Sequence, residues 1–179
     1  DNYIERQYEQ YEARKAAWEK SRKQGKKKTN SIKPQPKILT DNTIPSRKAF
    51  ITGGADGIGK NIVKAFRNSQ YQVAFCDKNE ELGTLTAKET GAIFYHVDVS
   101  DKESLEECMH DLFEKWGDVD IIINNAGISE FSPITETSVE DFDKILSINL
   151  RPVFITSRTL ALHRKFQAEN HPYGRIINI

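Results

Sequence analysis

Three glycines in the stretch TGGADGIG have the spacing of a phosphate-binding turn. Gly53, Gly57 and Gly59 follow the apolar stretch KAFIT and precede a segment whose apolar residues recur at helical spacing. Because glycine lacks a Cβ atom, backbone N–H groups can approach a pyrophosphate there, and the positive end of a helix beginning near Ile58 attracts the same anion. With a strand before it and a helix after it, the turn predicts a dinucleotide-binding site. The residues expected to contact the dinucleotide are Thr52, Gly53, Asp56, Gly57, Ile58 and Gly59.

The second apolar stretch, YQVAFCD, ends in Asp77, about twenty residues beyond the glycine turn. A carboxylate at this place can accept hydrogen bonds from both hydroxyls of an adenosine ribose, and it repels a 2′-phosphate. Asp56 in the turn also disfavours that phosphate, whereas Lys78 favours it. We therefore expect NAD(H) as the cofactor, with NADP(H) as the less favoured choice. The alternative for Asp77 is an ordinary turn residue at the end of a strand.

The chain from residue 47 onward alternates short apolar runs with amphipathic segments. The apolar runs KAFIT, YQVAFCD, AIFYHVDV, VDIIINNAG and RIINI predict five strands, each apolar on both faces. Helices are expected after the glycine turn, over about 79–89, after a capping box SDKE at 100–103, and as one long helix over about 138–168. This alternation predicts an α/β fold with a doubly wound, Rossmann-like parallel sheet that is incomplete at the C terminus.

The first 46 residues differ from the rest of the chain in net charge and in their pattern of residue types. Residues 1–45 hold 11 basic and 6 acidic residues, whereas residues 46–179 hold 15 and 20. We therefore expect two parts, a basic helix and linker over 1–46 and a partial NAD-binding domain over 47–179. A solvated helix and tail is favoured for the leader over a surface that binds nucleic acid, an acidic surface or a partner helix. The thin apolar stripe of the leader helix is Ile4, Tyr8, Tyr11, Lys15 and Trp18.

Several classes of protein are disfavoured by composition. The sequence holds no apolar run long enough to span a membrane and no signal-peptide stretch at its start, so we expect a cytoplasmic protein. Cys76 and Cys108 lie far apart in apolar patterns, which favours buried, reduced thiols over a disulfide. The four histidines form no ligand pair, and we expect no metal.

Four motifs in the same order and spacing identify a family. TGGADGIG, then VDVS, then NNAG, then an asparagine on the following helix resemble the short-chain dehydrogenase/reductases, over residues 48–179. The resemblance implies that Asp98 and Val99 line an adenine pocket. It also implies that Asn125, Ala126 and Gly127 leave room for the ribose and nicotinamide of the cofactor. For the NNAG turn the alternative is a purely structural turn, and Asn124 is expected to tie neighbouring strands together.

Asn149 is the candidate catalytic residue of this chain. Its neighbours at helical spacing predict a place on the buried face of the long helix, where an amide needs partners. A structural hydrogen bond is one explanation, and the resemblance implies another, in which Asn149 holds a water in the proton relay of an Asn-Ser-Tyr-Lys set. Pro152 has no N–H for the Ile148 carbonyl and should distort the helix next to Asn149. The apolar neighbours are Phe142, Ile145, Leu146, Val153 and Leu160.

The resemblance implies an NAD(P)-dependent oxidoreductase that interconverts a small alcohol and a ketone by hydride transfer. The serine, tyrosine and lysine of the family's catalytic set would lie beyond residue 179. We therefore expect a fragment that carries the cofactor half and is inactive, from a parent that forms homo-oligomers through the helix around Asn149. The alternatives are a dinucleotide-binding protein without catalysis, and a nucleic-acid-binding or partner-binding role of the basic leader.

Overall fold

The computed structural model describes residues 47–167 and 173–179, together with six positions of the leader. The chain divides into two compact units, Asp1–Pro45 and Ser46–Ile179. The apolar stripe and the linker predicted for the leader lie outside the described residues. The described leader positions are helical and exposed, and they are Arg6, Glu9, Glu12, Ala13, Ala16 and Lys20.

Five parallel strands form one sheet in the described part of the second unit. Their order across the sheet is β3-β2-β1-β4-β5, so the chain winds outward on one side of β1 and then continues on the other. This confirms the predicted doubly wound, Rossmann-like sheet. The strands are β1 Lys48–Thr52, β2 Gln72–Asp77, β3 Ile93–His96, β4 Ile121–Asn124 and β5 Arg175–Asn178.

Helices connect these strands and cover the sheet. They are α1 Gly57–Asn68, α2 Glu80–Thr90, α3 Lys102–Trp116, α4 Val139–Asn149 and α5 Arg151–Gln167. The single long helix predicted over 138–168 is wrong, because the structure divides it at Leu150 into α4 and α5. The cause is Pro152, which cannot donate a hydrogen bond to the Ile148 carbonyl and so interrupts the helical ladder. The predicted end at residue 168 lies outside the described residues.

The sheet separates two apolar clusters, one on each face. Successive residues of a strand point to opposite faces. On β1, Ala49 and Ile51 therefore join one cluster, whereas Phe50 joins the other. Helix α3 buries the apolar face that its spacing predicts, including Leu105 and Leu112. Burial of this kind stabilises a fold by about 25 cal/mol for each Å² of apolar surface removed from water.

The two edge strands depart from the expectation that every strand is buried on both faces. Ile93 on β3 is 37% exposed, and Ile176 and Ile177 on β5 are each 43% exposed. Both strands lie at the edges of the described sheet, where each has a strand neighbour on one side only. The apolar runs therefore predicted the existence of these strands but not their burial.

The two cysteines are buried and free, as predicted. Burial raises the pKa of the Cys76 thiol well above its ordinary value, and burial raises the pKa of Cys108 to about 12. Both side chains therefore stay protonated near neutral pH and pack as small apolar groups.

The capping residue of α3 is Asp101, not Ser100, so the predicted capping box is misplaced by one residue. The Asp101 carboxylate accepts hydrogen bonds from the backbone N–H groups of Glu103 and Ser104 at 3.1 and 3.4 Å. The Ser100 hydroxyl donates instead to Asp98 Oδ1 at 2.7 Å. A carboxylate satisfies two of the free N–H groups at the start of the helix, and it also interacts favourably with the helix dipole.

Replacing Asp101 by alanine is expected to lower the melting temperature by roughly 3 °C, whereas Ser100→Ala lowers it by roughly 1 °C or less. Hydrogen bonds from Ser104 hold the pKa of Asp101 below its ordinary value. Its stabilising effect is therefore present above the unfolded-state pKa and is lost as pH falls through the folded-state pKa. Thermal unfolding of both variants at neutral pH and at about pH 3 measures this, and a larger effect of Ser100→Ala would contradict the assignment.

Candidate functional site

A cavity of about 330 Å³ opens at the carboxyl ends of the strands, where the strand order reverses between β1 and β4. Ligands of open parallel sheets bind at this switch point. Most of the residues selected from sequence line it, namely Gly53, Asp56, Ile58, Gly59, Asp77, Asp98, Val99, Asn125, Ala126 and Gly127. The cavity is also lined by Lys78, Val97, Ile128 and Ile148, of which the sequence pointed only to Lys78. Thr52, Gly57 and Asn149 do not line the cavity.

The glycine turn is shaped by close backbone contacts. Gly53 has φ of +68° and Gly57 has φ of +55°, in the left-handed region that favours glycine. A Cβ atom on Gly59 would overlap the carbonyl oxygen of Gly53 and would lie 2.6 Å from Asn125 Nδ2. The turn therefore has a conformation that favours glycine, and α1 approaches the ends of β1 and β4 at Gly59 more closely than a side chain would allow.

Helix α1 begins at the glycine turn, and no side chain caps the backbone N–H groups of its first turn. The Asp56 side chain at the capping position makes no hydrogen bond to the first turn. By contrast, side chains of Asn79, Asp101 and Ser138 cap α2, α3 and α4. The positive end of α1 is therefore left for an anion in the cavity.

Thr52 joins the loops that follow β1 and β4. Its side chain is buried, and Oγ1 accepts hydrogen bonds from the backbone N–H groups of Asn125 and Ala126, both at 3.0 Å. In return, Asn125 Nδ2 donates to the carbonyl oxygens of Thr52 and Gly53 at 3.1 and 3.0 Å. These four bonds hold the glycine turn and the NNAG turn together. Each turn forms part of the cavity wall and is stabilised by its contact with the other turn.

The Asp77 carboxylate is held at the cavity by two backbone hydrogen bonds. Oδ2 accepts from the Ala55 N–H and Oδ1 from the Asn79 N–H, each at 3.0 Å. Each carboxylate oxygen has a second acceptor site, so the group can still accept from ribose hydroxyls. Lys78 lines the same cavity and is the basic residue nearest in sequence to this carboxylate.

Asp98 and Val99 follow β3 and lie in the cavity wall, with Val97 beside them. Asp98 Oδ1 accepts from the backbone N–H and the hydroxyl of Ser100, at 2.9 and 2.7 Å. Val97 and Val99 are each 7% exposed and present apolar surface that suits a flat base. The Asp98 carboxylate therefore stabilises the turn after β3, whereas Val97 and Val99 offer apolar contact to a ligand in the cavity.

Asn149 is exposed, so its predicted burial on an apolar helix face is wrong. The reason is that α4 ends at Asn149 and buries none of its residues. The expected need for partners is met in another way. Asn149 Oδ1 accepts from the Ile128 N–H at 2.9 Å, and Nδ2 donates to the Ile128 carbonyl at 2.8 Å. Asn149 therefore holds the segment that leaves the NNAG turn.

Asn124 ties neighbouring elements together, as predicted. Its Nδ2 donates to Asn178 Oδ1 on β5 at 2.9 Å, and its Oδ1 accepts from the buried Thr156 hydroxyl at 2.8 Å. One amide thus connects β4 to β5 and to α5 next to the cavity.

No helix among the described residues combines the length and apolarity needed to cross a membrane. Within the same part of the chain, no three His, Cys, Asp or Glu side chains gather in a way that could hold a metal ion.

Comparison with known proteins identifies the family. Residues 47–179 match the family model described as short chain dehydrogenase. A sorbitol dehydrogenase of Cereibacter sphaeroides is 33% identical over 76% of this chain and 53% of the relative. The 3-oxoacyl-[acyl-carrier-protein] reductase FabG of Chlamydia pneumoniae is 32% identical over 78% of this chain and 56% of the relative.

Solved structures agree with this assignment. A 3-ketoacyl-(acyl-carrier-protein) reductase from Brucella melitensis, complexed with NADH, has a TM-score of 0.68 at 29% identity, covering 74% of this chain and 56% of that chain. ElxO with NADP bound has a TM-score of 0.67 at 29% identity, covering 74% and 54%. The chain belongs to the short-chain dehydrogenase/reductase family, whose members are NAD(P)-dependent oxidoreductases. It spans about half the length of the curated relatives it matches.

Replacing Thr52 by valine is expected to lower the free energy of unfolding by about 2 kcal/mol, because two partly buried N–H groups lose their acceptor. Thr52→Ser keeps the hydroxyl and should cost less than about 1 kcal/mol. Denaturant unfolding of the two variants measures the difference. Equal stability of Thr52→Val and the unchanged protein would show that this hydroxyl does not join the two loops energetically.

Proposed function

We propose that the cavity binds NAD(H). The uncapped α1 N terminus and the glycine turn receive the pyrophosphate, Asp77 receives the adenosine ribose, and Val97 and Val99 contact the adenine. The NNAG turn, with Asn125, Ala126 and Gly127, receives the nicotinamide half. The observation that carries this proposal is the uncapped N terminus of α1, where Gly57 is exposed, has φ of +55° and has no protein atom beyond its neighbours in the chain and helix within 4 Å of the place of a Cβ atom. The backbone N–H groups at this helix end have no side-chain partner and can receive an anion in the cavity, as dinucleotide binding requires.

The preference for NAD over NADP rests on charge. The Asp77 carboxylate stands at the end of β2, and Asp56 brings a second negative charge to the same cavity. Two carboxylates disfavour a 2′-phosphate more than the single ammonium group of Lys78 favours it. Among the structural relatives, one is described with NADH and another with NADP bound, so both cofactors occur on this fold.

We further propose that the whole protein is an oxidoreductase acting on a small alcohol or carbonyl compound. The relatives include proteins named sorbitol dehydrogenase and L-2,3-butanediol dehydrogenase, which supports this substrate class. A bound nicotinamide would supply the hydride acceptor or donor. The described residues bind and orient this cofactor, and Asn149 holds the segment beside it through Ile128.

Proton transfer is assigned to a serine and a Tyr-x-x-x-Lys set that the family places after β5. The sequence holds one Tyr-x-x-x-Lys spacing, at Tyr11 and Lys15, but it precedes β1 and lies outside the described residues. The 179 residues are therefore proposed to bind the cofactor without turning over an alcohol. Sequencing the source template beyond codon 179 tests the proposed oxidoreductase activity. A reading frame that lacks the serine and the Tyr-x-x-x-Lys set would support a dinucleotide-binding protein without catalysis.

We also propose that the whole protein is cytoplasmic and that it forms homo-oligomers. The side chains of Phe142 on α4, Leu150 between the two helices and Phe154 on α5 are 53%, 59% and 65% exposed. Large apolar side chains grouped on one surface are typical of protein–protein contacts. They support a homo-oligomer in which this surface is buried.

Replacing Asp77 by alanine is expected to raise the dissociation constant for NADH about tenfold, because charged hydrogen bonds to the ribose are lost. The dissociation constant for NADPH should stay the same or fall, since the repulsion of its 2′-phosphate is removed. Titration calorimetry with both dinucleotides measures the two constants. Asp143→Ala removes an exposed carboxylate on α4 and serves as the control. An equal loss for both dinucleotides in Asp77→Ala would contradict the proposed preference for NAD.

A further inference from the structure

The turn that follows β2 is held by hydrogen bonds at Asp77, Lys78 and Asn79. The bond at Lys78 comes from His96, which does not line the cavity. The Asp77 carbonyl accepts from the Val97 N–H at 3.1 Å, and the Asn79 side chain caps α2. Between these points, Nε2 of His96 lies 3.0 Å from the carbonyl oxygen of Lys78. A carbonyl oxygen only accepts hydrogen bonds, so Nε2 carries the proton and donates.

One planar peptide group connects this histidine to the carboxylate of Asp77. The Lys78 carbonyl and the Asn79 N–H belong to the same rigid amide plane and point in opposite directions. The oxygen side is held by His96, and the N–H side donates to Asp77 Oδ1 at 3.0 Å. Any rotation of the plane would disturb both bonds together. The bond from His96 therefore determines where the N–H that holds the carboxylate points.

We propose that His96 is a positioning residue for cofactor choice, acting through the Lys78–Asn79 peptide to orient the Asp77 carboxylate towards the adenosine ribose. This inference rests on the proposed binding of NAD(H). Without the His96 bond, Asp77 keeps its charge and its bond from the Ala55 N–H, but its second bond weakens. The carboxylate is then less well oriented to accept from the ribose or to oppose a 2′-phosphate.

The position of His96 favours this role over a contribution to the core. His96 is the last residue of the edge strand β3, opposite Asp77 in the parallel register, and its side chain is exposed. An exposed ring at a sheet edge buries little apolar surface, so its substitution should leave the stability of the fold nearly unchanged.

Dissociation constants of NADH and NADPH for the 179-residue chain test the proposal. His96→Leu is expected to weaken NADH binding about fivefold, the size of one hydrogen bond, and to reduce the preference for NADH over NADPH by a similar factor. His96→Gln carries an N–H at a comparable reach and should restore most of the preference. The amide of His96→Asn is shorter, so this variant should resemble His96→Leu.

A double-mutant comparison separates action through Asp77 from any other effect. In an Asp77→Ala background, His96→Leu should change the NADH dissociation constant by less than about 1.5-fold, because the group that His96 positions is gone. A full fivefold effect in that background would overturn the proposal. An unchanged preference in His96→Leu and His96→Asn, with NADH still bound, would also overturn it. Failure of the unchanged chain to bind NADH would overturn the proposed function and this inference together.

Discussion

The cavity depends on the hydrogen bonds that Thr52 and Asn125 exchange between the ends of β1 and β4. A doubly wound sheet separates its two halves at this point, so the loops leave in opposite directions and open a crevice. The Thr52 hydroxyl holds the backbone of the NNAG turn, and the Asn125 amide holds the backbone of the glycine turn. Because each group is buried or half-buried, an unmatched partner would be costly. The two turns are therefore stable only as a pair.

Helix α1 and the end of β2 add the electrostatic character of the site. The N terminus of α1 is positive and has no side-chain cap, whereas the Asp77 carboxylate in the same cavity is negative. A dinucleotide presents the complementary groups, an anionic pyrophosphate in its middle and neutral ribose hydroxyls beside it. The same arrangement disfavours a ligand that carries a further phosphate next to Asp77.

Much of this arrangement could be predicted from the sequence, because it depends on local patterns. The glycine spacing, the apolar strands and the apolar face of α3 each reflect a short-range rule of geometry or periodicity. The cavity-lining position of Asp77 followed from one such rule, that ligands of a parallel sheet lie at the carboxyl ends of its strands, whereas that of Asp98 was implied by the family resemblance.

Other features could not be predicted, because they depend on what surrounds a residue in space. The periodicity around Asn149 indicated an apolar face but not whether anything covers it, and α4 buries none of its residues. The exposure of Ile93 depends on the place of β3 at the sheet edge, which a strand pattern does not contain. The choice of Asp101 over Ser100 as the α3 cap depends on a one-residue shift of the helix start. The bond from His96 crosses between two strand ends and has no short-range motif.

The most direct test is to follow the backbone amide resonances of the isotopically labelled chain by NMR while NAD⁺ is added. Binding in the cavity predicts that the largest shifts occur at Gly57, Ile58 and Gly59 at the start of α1, at Asp77, and at Val99. Gly117 at the opposite end of the sheet should not shift. Saturable shifts at these cavity amides would support the account, whereas shifts confined to other surfaces, or none at millimolar NAD⁺, would contradict it.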